Sequence, residues 1–148
     1  MKTIDFSKVR VLTPVPNGWH AAHVKSAREG VSKAGNSKVT LVWELDDIEF
    51  SGRVVFDDIV LEGDGLWNTA LVLAALGIVV ETEVPDENGG SRKVYVDSRS
   101  GGPVEFEPAD LIGLAADLRT ELSTYEGKTN PKRVAIRAPR VGVSEVLA

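Results

Sequence analysis

Residues 14–61 read PVPNGWHAAHVKSAREGVSKAGNSKVTLVWELDDIEFSGRVVFDDIVL, and this stretch decides the fold. Pro14 and Pro16 stop regular pairing because proline lacks the backbone donor. Asn17-Gly18 is a turn signal that launches a strand, Trp19–Ala27. Trp19, Ala21, His23 and Lys25 share one face of that strand. His20, Ala22, Val24 and Ser26 share the other, although the alternation is not clean. A basic, small-residue loop is expected over Lys25–Lys38, with Arg28, Gly30, Lys33, Gly35 and Asn36 inside it. Two long β-patterned runs follow, Val39–Phe50 and Arg53–Leu61, joined by Ser51-Gly52. In the first run Val39, Leu41, Trp43 and Leu45 fall on one face, opposite Lys38, Thr40, Val42 and Glu44. Asp46-Asp47 marks a bulge or bend, after which Ile48 and Phe50 resume the pattern. A twisted antiparallel sheet beside a cationic loop suits a polyanion.

Outward from this stretch, residues 1–13 read as an arm, with a short edge strand around Val9–Leu12. Leu66–Leu76 is the one convincing helix: Leu66, Ala70, Leu73 and Ala74 recur at helical spacing. Asp64 is its expected N-cap and Gly77 its C-terminal cap. Ile78–Val84 and Arg92–Asp97 predict a hairpin around residues 86–90, and Ser98–Pro103 a loop. Pro108–Ile112 reads as a short helical turn. Leu114–Tyr125 fits a strand, but Leu111, Leu114, Leu118 and Leu122 also fit a helix over Asp110–Leu122, so both readings stand. Lys132–Ala138 closes the pattern as a strand, with 139–148 as a tail.

Three strands, a helix, an irregular insertion and two strands form the element order of an OB barrel. The expected fold is therefore mainly β: an OB-like five-stranded antiparallel barrel, one domain over residues 14–138. A small β-sandwich or another α+β fold is the competitor. A chain of 148 residues with 43% hydrophobic residues supports a single domain with a core. No apolar run approaches the ~18 residues of a membrane span. The first six residues lack the apolar centre of a signal peptide. With no cysteine, disulfides and thiolate metal sites are excluded, and a reducing cytoplasm is the expected compartment.

The net charge of −5 is unevenly spread. Residues 1–43 carry seven Lys/Arg against two Asp/Glu, and residues 113–148 six against four. Residues 44–66 carry one against eight, and 67–112 three against eight. The basic ends could share one face, and local potential rather than net charge steers a polyanion.

Several segments together resemble a family of bacteriophage and prophage proteins long catalogued as a domain of unknown function. They are Pro16-Asn17-Gly18-Trp19, Lys33-Ala34-Gly35-Asn36, Phe50-Ser51-Gly52-Arg53-Val54-Val55-Phe56-Asp57 and Tyr125-Glu126-Gly127-Lys128-Thr129-Asn130. The resemblance covers roughly residues 12–138 and rests on pattern and order. It implies an OB-like fold and single-stranded-DNA binding, in the cytoplasm of the host cell. The implied partners are single-stranded DNA and phage or host replication and recombination proteins. Homo-oligomerisation stays open. The chain departs from this pattern in its acidic middle. It also lacks the acidic, Phe-ended tail through which many single-strand binders recruit partners.

Single-strand binding needs cations along the phosphates and flat side chains under the bases. The cation candidates are Lys25, Arg28, Lys33, Lys38, Arg53, Lys128, Lys132, Arg133 and Arg137, each with ordinary surface charge as its plain alternative. Trp19 shares a face with His23 and Lys25 and is the favoured stacking residue; Tyr125, beside Gly127 and Lys128, is the second. Trp43, Phe56 and Trp67 are expected in the core or in helix packing. Catalytic motifs are not evident. His20 and His23, three apart on a strand, face opposite ways and cannot chelate together. No cofactor or metal is expected. Asp46-Asp47 and Asp57-Asp58 leave a magnesium-dependent nuclease as a distant reading. A structural or protein-interaction β module, working through the acidic middle, is the closer alternative.

Overall fold

The alternation of residues 37–45 builds the sheet. In a computed structural model, which describes residues 1–8 and 14–140, these residues form β2 (Ser37–Leu45). Val39, Leu41, Trp43 and Leu45 are all buried on one side of it. β3 (Val54–Val60) pairs antiparallel with β2, from Lys38↔Val60 to Glu44↔Val54. The connection uses a turn at Gly52 with φ of +83°, a conformation that costs a residue without a Cβ little. The strand pattern does not continue to Phe50: β2 stops at Leu45, Phe50 tucks into the core, and Ile48 is fully exposed.

β1 (Gly18–Val31) is longer than its composition suggests. It pairs with β2 as far as Val31↔Ser37, so the expected loop of residues 25–38 shrinks to Ser32–Asn36. That turn is closed by Ser32 N–H donating to Asn36 O (2.8 Å) and Gly35 N–H donating to Ser32 O (2.9 Å). Small and charged residues reach strand geometry here because β2 offers them a complete ladder; tertiary pairing outweighs local propensity. The register shifts between Val24 and Ser26, a bulge at Lys25. One extra residue changes the phase of the pleat, so Ala27 rather than Ser26 packs against the core.

β6 (Ala115–Tyr125) pairs antiparallel with β1, and β7 (Lys128–Arg137) with β6. A strand with ladders on both sides settles the ambiguity of residues 115–125 against the helix. Only Pro108–Leu111 is helical there, as a 3-10 turn. Glu126 and Gly127, with φ of 51° and 77°, make the tight connection whose twist suits a two-residue hairpin.

The five strands run in the order β3-β2-β1-β6-β7, and the sheet is open rather than the closed barrel expected. Side chains take the place of the missing ladder between the edges β3 and β7. Asp57 points inward from β3, a feature that discourages edge pairing, and Arg133 of β7 meets it there.

α1 (Leu66–Ala75) follows β3 and lies over one end of the core through Val72 and Leu73. Its N-cap is Gly65 with no side-chain cap, not Asp64. Thr69 Oγ1 donates to Val60 O (2.6 Å), and a Cβ on Gly65 would stand 2.7 Å from Val60 Cγ2, so the helix start sits directly on β3. Its end follows the expectation: Gly77 has φ of +81°, its N–H reaches Ala74 O, and Ile78 N–H reaches Leu73 O, the paired bonds of a Schellman cap.

β4 (Val79–Pro85) and β5 (Ser91–Asp97) form the expected hairpin as a separate two-stranded sheet. Asp86 organises its turn by accepting from the N–H groups of Asn88 and Gly90. Among the described residues no helix is long and apolar enough to cross a membrane. The strand expected at 9–12 and the tail from 141 fall outside the described residues.

Candidate nucleic-acid interface

Strand phase decides what each face of the sheet carries. Lys38, Thr40, Val42 and Glu44 on β2 lie beside Val60, Asp58, Phe56 and Val54 on β3, turned away from the buried row. His23, Ser26 and Arg28 of β1 continue those rows, opposite Glu44, Val42 and Thr40.

Most of the expected cations on this surface already have acidic partners. Lys25 Nζ lies 3.5 Å from Glu44. His23 Nδ1 is 2.7 Å from Asp46 Oδ1, and its Nε2 is 3.8 Å from Glu44. His20, on the inner side, is buried between Asp47 (2.5 Å) and the Pro16 carbonyl (2.9 Å). The two histidines thus face apart as expected, each beside its own aspartate. Lys38 Nζ donates to Asp58 Oδ2 at 2.9 Å, and Thr40 Oγ1 donates to Asp58 Oδ1 at 2.5 Å. Partial burial works to raise the Asp58 carboxyl, but the hydrogen bonds from Thr40 and Lys38 and the lysine charge outweigh it. The group rests below the ordinary carboxylate value.

Trp19 and Arg137 meet: the guanidinium sits 3.9 Å from the centre of the indole ring, while its Nε donates to Asp117 (3.2 Å). The indole stays 39% exposed. Arg133 is buried, and its placement is structural. Its Nε and Nη2 grip both oxygens of Asp57, Nη2 also donates to Asn68 Oδ1 (2.9 Å), and Trp43 Nε1 donates to Asp57 Oδ2 (3.2 Å). This network stitches β7, β3, α1 and β2 together. Arg53 is half-buried where β3 begins. Arg28, Lys33, Lys128 and Lys132 are exposed and form no ion pair among the described residues. Tyr125 is 68% exposed at the β6–β7 tip beside Lys128.

Two aromatic residues expected inside are outside. Phe56 and Trp67 are each 68% exposed. With Asp58, Asn68, Lys132 and Val134 they line an open cleft of about 540 Å³ along the β3–β7 seam, floored by the Arg133–Asp57 pair. The signal for both was present in the sequence. Phe56 shares its strand phase with Asp58 and not with Val55 and Ile59. Trp67 lies across the helix from Thr69, Val72 and Leu73, the buried stripe.

Asp57 and Asp58 point to opposite sides and are held by Arg133 and Lys38 respectively. Among the described residues no group of three or more His, Asp or Glu side chains could hold a metal ion. No protein-family model matches the chain, and no curated protein matches it in sequence.

Proposed function

We propose that this chain is an OB-like, non-enzymatic binder of single-stranded DNA with little sequence preference, serving phage or prophage replication or recombination in the host cytoplasm. The observation that carries the reading is the exposure of Phe56 and Trp67 in one cleft with Lys132 at its rim. Leaving two large aromatic rings in water is unfavourable unless something covers them, and bases stack on such rings for ~1–3 kcal/mol each.

The strand order supports the OB-like part. β1 sits between β2 and the fourth sheet strand, the helix comes after the third, and the outer edges approach through Arg133 and Asp57. In OB folds oligonucleotides lie on the face of strands 2 and 3 and on the loops 1–2 and 4–5. The equivalent places here hold Phe56 on β3, Lys33 in the β1–β2 turn, and Tyr125 with Lys128 at the β6–β7 turn. DNA would run from the Lys33 turn past Phe56 and Trp67 to Lys132 and Lys128. Trp19, held under Arg137, borders this path rather than forming its centre.

The test is fluorescence anisotropy of a labelled single strand at low and moderate salt, beside a duplex control. Single-strand-selective binding that weakens steeply with salt is expected, because phosphate contacts release counterions. Phe56→Ala and Trp67→Ala should each weaken it by roughly tenfold. Absence of binding at low salt ends the proposal; binding untouched by both variants moves the path away from the seam.

A further inference from the structure

A second concavity, about 950 Å³, lies on the other side of α1 and shares no lining residue with the seam cleft. Its floor is apolar. α1 contributes Leu66 and Leu73, the hairpin contributes Val79 and Tyr95, and the segment before the 3-10 turn contributes Val104 and Phe106. Leu66 and Tyr95 remain 46% and 40% exposed. The charged residues that line it are Glu105, Glu107 and Asp110, with no lysine or arginine among the lining side chains.

This acidic rim is held in place. Asp110 Oδ2 accepts from the Glu107 N–H at 3.0 Å, and the Asp110 N–H donates to the Glu107 backbone carbonyl at 2.9 Å, which fixes the Asp110 carboxylate on the 3-10 turn. A fourth carboxylate, Glu81, stands directly across the hairpin from Tyr95. A nucleic-acid backbone is repelled by such a rim. A purely apolar partner would leave its carboxylates without a cation as they lose water, which is costly. A segment that carries both apolar and cationic side chains answers both features.

We propose that this groove docks a short basic–apolar segment of a partner protein, its apolar side chains on Leu66, Tyr95 and Phe106 and its Lys or Arg on the carboxylate rim. The inference does not depend on DNA binding, since it uses different residues and the opposite charge. It makes α1 a divider between two surfaces: aromatic and of mixed charge at the seam, apolar and anionic at the hairpin.

The probe is a fluorescein-labelled peptide of roughly ten residues alternating Leu and Lys, about 33 Å when extended. A Leu/Glu peptide of equal length is the control. Anisotropy with the full chain at low salt should show binding of the first peptide alone. Tyr95→Ala combined with Glu105→Lys should weaken it by roughly tenfold or more. Glu105→Lys alone, at an exposed position, should weaken it in part. Trp67→Ala should leave it unchanged. Three results overturn the proposal: no binding of the Leu/Lys peptide, equal binding of both peptides, or binding that the double variant does not reduce. Sedimentation of the protein alone covers the remaining occupant. A dimer that the double variant dissociates would make a second copy the groove's partner and overturn the proposal as well.

Discussion

The β1–β2–β3 half of the sheet and the β3–β7 seam hold together by different means. In the first, backbone ladders run unbroken apart from one bulge, and an apolar row lies beneath them. In the second no ladder forms, and a guanidinium, a carboxylate, an amide and an indole N–H meet across the gap. Ladders and apolar rows stabilise a sheet without asking for one particular partner. A polar network does ask for one, because each member left alone is a buried group without its bond. The seam is therefore the part of the sheet most sensitive to single changes of chemistry, and also the part that leaves aromatic rings in solvent.

Two tryptophans give the sharpest contrast. Trp43 is fully buried beneath the ladders and donates to Asp57; Trp67 stands at the seam in solvent. Trp43→Ala should cost about 3–5 kcal/mol in chemical denaturation, from lost burial and the cavity left behind. Trp67→Ala should stay within about 0.5 kcal/mol, since most of its ring stands in solvent. Equal costs for the two would mean that the seam is packed as tightly as the sheet, and the contrast would fail.

The next test strikes the network itself. Arg133→Ala leaves the Asp57 carboxylate largely enclosed without its cation and should destabilise by about 3 kcal/mol. Arg133→Met together with Asp57→Asn should recover most of that loss, because the charge that needed a partner is gone. A double variant as unstable as the single one would show that the arginine acts through its packing rather than its charge.

These contrasts also explain what the sequence made legible. The β2 row, the hairpin with its Asp86 turn and the Gly77 helix end each rest on signals within a few residues, and the structure follows them. The β6 segment was ambiguous because its leucines satisfy both periods; only neighbours on either side, β1 and β7, decide for a strand. β1 runs past the expected Ala27 because one bulged residue, Lys25, shifts the pleat and hides the alternation beyond it. The seam lay furthest from view. Asp57 and Arg133 are 76 positions apart, so nothing local marks them as partners. For the candidate site the exposed lysines and Tyr125 were in reach, but pairing occupies Lys25, Lys38, Arg133, Arg137 and His23. Phe56 reads as core by residue type alone, whereas its phase with Asp58 places it outward.

The smallest expected effect separates two neighbours on one strand. Asp57 faces inward at the seam; Asp58 faces outward between Thr40 and Lys38, its side chain about half exposed. The Asp58 carboxyl lies below its ordinary value in the folded chain, despite the opposing effect of partial burial. A group depressed in this way adds stability that is present above the unfolded value of ~3.9 and is lost as pH falls through the lower folded value. Asp58→Asn should therefore lower the melting temperature slightly near neutrality, converge with the wild type in acid, and so flatten the fall below about pH 4. Solvent and salt screen an exposed pair, so its whole contribution should remain within ~1 kcal/mol and shrink at high ionic strength. An unchanged acid slope in the variant would show that the Thr40–Asp58–Lys38 contact adds nothing to the sheet.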